Sequence, residues 1–165
     1  MPGKPAARLT DNVIHIPPVL GPGPGSPNVF MRMLPAWRGV PSAVAGALQA
    51  AKQISDTAIQ VAEAATLAAA GTPGAPAAKA AEEATKAAAA AQMGSMITSM
   101  AGGADIHTCT TPLPLPPHGP GVVIDGSQTV FINGLQACRM GDTVLEAVGP
   151  PNKIAKGEMT VLIGG

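Results

Sequence analysis

His15, His107, Cys109 and His118 are the side chains whose types and spacing could do chemistry in this chain. His107 and Cys109 are two residues apart, so on a strand both face the same side. His118 follows Pro114-Leu115-Pro116-Pro117, a stiff lead-in able to aim its imidazole. Asp11 to His15, Asp105 to Cys109 and Asp142 to Glu146 share one spacing of four residues. A repeat with that spacing puts His15, Cys109 and Glu146 at equivalent positions. Three imidazoles and one thiolate would give Zn²⁺ a closed tetrahedral shell, the arrangement of a structural site without an open position for water. Taken singly, each histidine reads as a surface or hydrogen-bonded residue; the set in register points to a metal. The fourth ligand stays open between Cys109 and Glu146.

Catalysis finds little support. There is no nucleophile elbow, no His-Glu-x-x-His and no phosphate-binding glycine loop, since Gly21 to Gly25 is interrupted by prolines that lack amide donors. Asp125 and Asp142 suit turns better than acid–base work. The expectation is a protein that is not an enzyme.

The elements that must hold the candidate ligands are repeats. Gly126 to Asp142 reads as a strand and turn, with Thr129 to Ile132 closed by Asn133-Gly134, a strong hairpin signal. Gly25 to Arg38 repeats the pattern at the same gap. A third copy is split across the termini: Gly157 to Gly165 supplies its strand, and Pro5-Ala6-Ala7-Arg8 its return. Such a closed three-fold repeat, cut inside one unit, requires adjacent termini. In the outer copies an aspartate follows the arginine by three, Arg8 to Asp11 and Arg139 to Asp142. In the middle copy Arg38 must wait for Asp105, so residues 42–102 read as an insertion into one turn.

That insertion is made of helix formers. Ala43 to Ala70 lacks proline, and Val44, Leu48, Ala51, Ile54, Ala58, Val61, Ala65 and Ala68 step by three or four. Gly71 to Pro76 breaks it, and a second helix is expected over residues 77–100, giving an antiparallel hairpin. Residues 87–104 carry no charge, but their alanine, serine, threonine and glutamine content is too weakly apolar for a stable membrane anchor. Met93, Met96, Ile97 and Met100 form a soft apolar patch that either packs within the protein or meets a partner, such as an effector or chaperone. The expected domains are therefore 1–41 and 103–165, together one β unit, with the helical insert at 42–102.

Composition agrees with a thin core. Among 165 residues are 18 Pro and 20 Gly, but only two Phe, one Trp and no Tyr. A small domain of this kind usually needs a staple such as a metal or an oligomeric partner. Formal net charge is zero, which gives no footprint for nucleic acid. No apolar signal segment follows Lys4 and Arg8, so a cytosolic origin is expected.

Pro5-Ala6-Ala7-Arg8, with its variants Pro35-Ala36-Trp37-Arg38 and Gln136-Ala137-Cys138-Arg139, resembles the proline–alanine–alanine–arginine (PAAR) repeat family. The Val-Phe-Ile-Asn-Gly strand, the Arg-Met-Gly-Asp turn, His107-Thr108-Cys109, Pro117-His118-Gly119 and Gly149-Pro150-Pro151 are similar to it as well. The resemblance covers about residues 4–40 and 104–165. It implies a conical three-repeat β domain, mixed with helix only through the inserted hairpin. It also implies a single zinc near the apex, held by histidines and a cysteine. The implied function is to cap and sharpen the VgrG spike trimer of a bacterial type VI secretion system, one copy per trimer, for puncture of target membranes. Such a protein waits in the bacterial cytoplasm and leaves with the spike. An adaptor that recruits an effector through the hairpin is the alternative. Where family members often place a cysteine before Gly-Pro-Pro, this chain has Glu146-Ala147-Val148. Cys138 occupies the alanine slot of the repeat and reads as packing.

Overall fold

Two-residue turns set the register of the β part. The computed structural model describes residues 3–16, 19–109 and 118–165. Its strands are β1 (Lys4–Ala6), β2 (Pro22–Gly23), β3 (Phe30–Met31), β4 (Leu34–Pro35) and β5 (Arg38–Gly39). After the helices α1 (Ser42–Ala69) and α2 (Ala75–Met100) come β6 (Ile106–Cys109), β7 (Gly119–Val123), β8 (Phe131–Ile132) and β9 (Leu135–Ala137). The chain closes with β10 (Thr143–Glu146), β11 (Asn152–Lys153) and β12 (Glu158–Ile163). All strand pairs are antiparallel.

Asn133 and Gly134 turn β8 into β9 with φ of 53° and 78°, the left-handed pair that a tight hairpin turn demands. The middle copy makes the same turn with Arg32 and Met33 at φ 47° and 69°, where neither residue is a glycine. In the third copy the hairpin is cut open: Leu162 faces Pro5 as Phe30 faces Pro35 and Phe131 faces Gln136. The termini are thus neighbours, as the split repeat requires.

Closure of the three copies is cyclic. Ala7 N–H donates to the Cys138 carbonyl (2.8 Å), Cys138 to Trp37 (3.1 Å) and Trp37 back to Ala7 (2.9 Å). Each copy then fastens its turn with an arginine–aspartate clasp. The backbone N–H of Arg8, Arg38 and Arg139 donates to Asp11, Asp105 and Asp142 at 2.8, 2.7 and 2.8 Å. The guanidinium groups bind the same carboxylates from the side. Burial pushes the Asp142 carboxyl up, against the pull of Arg139.

Side chains follow in layers of three. Met31, Ile132 and Ile163 pack with Ala6, Ala36 and Ala137; small residues suit a position where three backbones converge. The next layer holds Ala7, Trp37 and Cys138 with Val13, Val123, Val144, Leu20 and Ile154. Neither cysteine is in a disulfide, and burial raises the Cys138 thiol well above its ordinary value, so it stays protonated as a packing group.

The hairpin departs from the sequence reading in three respects. Helix α1 starts at Ser42, one residue before the expected Ala43, directly after Pro41 and without a side-chain cap. Helix α2 starts at Ala75, with Pro76 accommodated in the first turn, where the missing N–H is no loss. The expected apolar stripe of α1 splits. Leu48 and Ile59 are buried together with Lys52, whereas Ile54 and Val61 are exposed. Ion pairs neutralise the buried charges, because Lys52 meets Asp56, and Lys86 of α2 meets both Glu63 and the buried Glu82 at 2.7 Å.

The methionine patch is likewise divided. Met93 and Ile97 are buried, in one cluster with Val40, Leu48, Val122, Ile124, Leu135 and Leu145. As a joint contact surface for an effector or chaperone the set Met93, Met96, Ile97 and Met100 is therefore corrected: two of its members are used to dock the hairpin on the β part. Each such fully buried side chain is worth about 1.5–3 kcal/mol. Among the described residues no helix is long and apolar enough to cross a membrane.

Candidate metal centre

The repeat register delivers three of the candidate ligands. Counting from the clasp aspartates, the second residue onward is Val13, His107 and Val144, and the fourth is His15, Cys109 and Glu146. Val13 and Val144 are core residues, so His107 occupies a core slot in its copy and is fully buried. One layer out, His15, Cys109 and Glu146 converge. His118, immediately before β7, supplies a further imidazole that the repeat does not encode.

One donor atom from each of His15, Cys109, His118 and Glu146 can be chosen so that all lie within 4.8 Å of one another. Glu146 is the centre of the group and has no exposed surface. Its Oε1 is 2.6 Å from His15 Nε2, and its Oε2 is 2.8 Å from His118 Nδ1. The Cys109 Sγ is 3.8 Å from His15 Nδ1. His107 Nε2 stands 3.4 Å from Glu146 Oε1, buried and without a hydrogen-bond partner among the described residues. Its Nδ1 faces the Gly21 N–H at 3.5 Å. Burial alone would raise the Glu146 carboxyl, but the imidazoles of His107 and His15 outweigh it and hold the group below its ordinary value.

The donor chemistry fits a divalent metal of borderline softness: imidazoles, one thiol and one carboxylate whose donor atoms lie within 4.8 Å of one another. The buried His107 Nε2, 3.4 Å from Glu146 Oε1, lies against the same carboxylate. All four residues named from the sequence are thus in one neighbourhood, with Glu146 drawn in and His107 seated one layer deeper. Sequence reasoning missed Asn152, whose Nδ2 donates to Glu146 Oε1 at 3.3 Å; a lone asparagine after two prolines carries no such signal. The proline lead-in 114–117 and Pro17-Pro18 lie outside the described residues.

Fold and cluster together define a class: a three-fold β repeat closed on itself, carrying a histidine–cysteine–carboxylate group that could hold a metal ion. A family profile described as the PAAR motif matches residues 114–165. The chain therefore carries a PAAR motif over that segment. Comparison with curated proteins and with solved structures gives no match.

Proposed function

We propose that this protein is the tip of a type VI secretion spike, seated on a VgrG trimer at one copy per trimer. The observation that carries the reading is a triplet of exposed apolar side chains at one repeat position. Phe30, Phe131 and Leu162 are 56%, 57% and 61% exposed and stand at matching places in the three hairpins. A single chain with three equivalent apolar contacts matches the symmetry of a three-chain partner. Exposed apolar groups in such an arrangement mark an interface. Binding should be governed by shape and apolar burial rather than charge, since the chain has no net charge.

Pull-down and calorimetry with the cognate trimer test this. Phe30→Asp, Phe131→Asp and Leu162→Asp should each weaken binding by about tenfold or more, at the scale of a hot spot losing over 1 kcal/mol. Binding unchanged in all three, or three copies per trimer, would overturn the reading.

The metal part of the proposal assigns His15, Cys109, His118 and Glu146 as ligands of one Zn²⁺, with His107 bracing the carboxylate from the core. Bound there, zinc would supply a structural cross-link between repeats and no reaction. Elemental analysis of protein prepared without added metal should give about one zinc per chain, the load of one four-ligand site. Glu146→Gln should lower that load more than His107→Gln; the reverse order would assign His107 as the fourth ligand. A metal-free protein whose melting temperature is unaffected by added zinc would refute the site.

The adaptor reading keeps one supporting observation. Ile54, Val61 and Leu67 of α1 are exposed. Loss of cargo delivery in an Ile54→Ser, Val61→Ser double variant that still binds the trimer would support it. Undiminished delivery would leave the tip function alone.

A further inference from the structure

Three members of the metal cluster are aimed by the repeat itself, through a clasp, a turn and a strand. His118 is not, because it lies outside the repeat register and stands before the first residue of β7. What holds it is the segment that follows β10. Val148 N–H donates to the His118 carbonyl at 3.1 Å, and Ala147 N–H to the Pro120 carbonyl at 3.0 Å. Gly149, at φ +88°, lies close against the imidazole: a Cβ built there would be 3.0 Å from Nε2 and 3.1 Å from Cδ2. The ring is thus confined between Glu146 on one side and the Gly149 backbone on the other.

That segment is in turn held by the helices. Val148 is buried in a separate small cluster with Ile59 of α1 and Ala89 of α2. This cluster shares no residue with the larger one that docks the near end of the hairpin through Leu48, Met93 and Ile97. Beside it, a cleft of about 400 Å³ brings Asp56, Glu63 and Lys86 of the hairpin alongside His118. The cation of Lys86 is committed to Glu63 and Glu82, so the helices present apolar support at Val148 without a free positive charge beside the imidazole.

We infer that the helical hairpin is a positioning element for His118: Ile59 and Ala89 fix Val148, and the Val148-Gly149 backbone fixes the imidazole that completes the metal cluster. The inference rests on the metal reading above and extends it to an insert that lies outside the matched motif segment. Ile59 and Ala89 are not among the candidate ligands and pack with Val148. Their effect passes through Val148, as the groups behind a ligand set its orientation and hence the metal affinity.

The test compares two cavity variants of the same hairpin, Ile59→Ala beside His118 and Leu48→Ala in the larger cluster, each as the full chain. Zinc affinity is read by competition with a chromogenic chelator, and ligand geometry by the visible spectrum of the Co²⁺ form. Ile59→Ala should bind zinc about 10–100-fold more weakly, the usual effect of losing support behind a ligand, and should alter the cobalt spectrum. Leu48→Ala should lose thermal stability yet keep the wild-type affinity and spectrum, and Ile59→Val should recover most of the affinity. Should Ile59→Ala fail to fold, Val148→Ala carries the same comparison. Wild-type affinity and spectrum in Ile59→Ala, or equal losses in both variants, overturn the positioning role while leaving the metal site standing. A wild-type chain that binds neither zinc nor cobalt overturns both.

Discussion

Asp105→Asn should be the most damaging single-atom change in the β part. The Asp105 carboxylate is fully buried and accepts four hydrogen bonds. They come from the backbone N–H groups of Gly25 (2.8 Å) and Arg38 (2.7 Å) and from Arg38 Nε (3.0 Å) and Nη2 (2.8 Å). An asparagine keeps one acceptor oxygen and turns an NH₂ group toward donors, leaving the Arg38 guanidinium buried and unneutralised. Removing one partner of a buried ion pair costs about 3–5 kcal/mol. In a chain of this length that lowers the melting temperature by roughly 6–20 °C. The same clasp also closes the mouth of the helical insert, since Asp105 N–H donates back to the Arg38 carbonyl at 3.0 Å. Asp11→Asn is the internal control. Arg8 is more exposed and keeps Glu158 at 2.6 Å, so the loss there should be about 1.5–3 kcal/mol, the worth of hydrogen bonds to a charged group. Urea unfolding followed by fluorescence of the single tryptophan, Trp37, reports both, because that side chain is buried in the layer beside the clasps. A cost below about 1 kcal/mol for Asp105→Asn, within the range of an ordinary exposed pair, would refute the reasoning. So would a cost no greater than that of Asp11→Asn.

Ile97→Ala opens a cavity where α2 meets Val122, Ile124 and Leu145, and should cost about 2–5 kcal/mol by urea unfolding. Replacing residues 42–102 by a short linker would uncover that same apolar surface, so the shortened chain should bind a hydrophobic dye that the full chain does not. Wild-type stability in both proteins would show the hairpin to be an independent appendage. Glu82 offers a pH test: hydrogen bonds from Lys86 and then Lys79 hold its carboxyl at about 2, below the ordinary glutamate value. A depressed folded-state value means that its contribution is present above the unfolded value and is lost as pH falls through about 2. Carbon-detected NMR titration should find it ionised at pH 3, and Glu82→Gln should flatten the acid limb of hairpin stability; a carboxyl titrating near 4.5 would contradict the ion-pair network.

Local chemistry made most of the β part legible. Asn133-Gly134 dictates a tight turn because both positions need positive φ, and the recurrence of strand, arginine and aspartate dictates three copies and adjacent termini. Repeat spacing alone put His15, Cys109 and Glu146 at equivalent places, and the structure brings them together. The helices were legible as helices, from alanine content and breakers, but not their orientation. In α1 the alanines blur the periodicity: of the expected stripe Leu48 is buried but Ile54 and Val61 are exposed, and Lys52 and Ile59, outside it, are buried. Lys52 can go inside only because Asp56 one turn later neutralises it, a compensation that periodicity does not weigh.

The sequence by itself determined the turns, the three-fold closure and the identity of the metal-type side chains, because these depend on backbone preferences and on spacing along the chain. Only the tertiary structure decided which face of each helix is covered, that Met93 and Ile97 belong to the core, and how deep His107 sits beside Glu146. It also decided that Ile59 and Ala89 meet Val148 behind His118. Those outcomes depend on contacts between residues far apart in the chain, where the burial available at one position is set by what another segment brings to it.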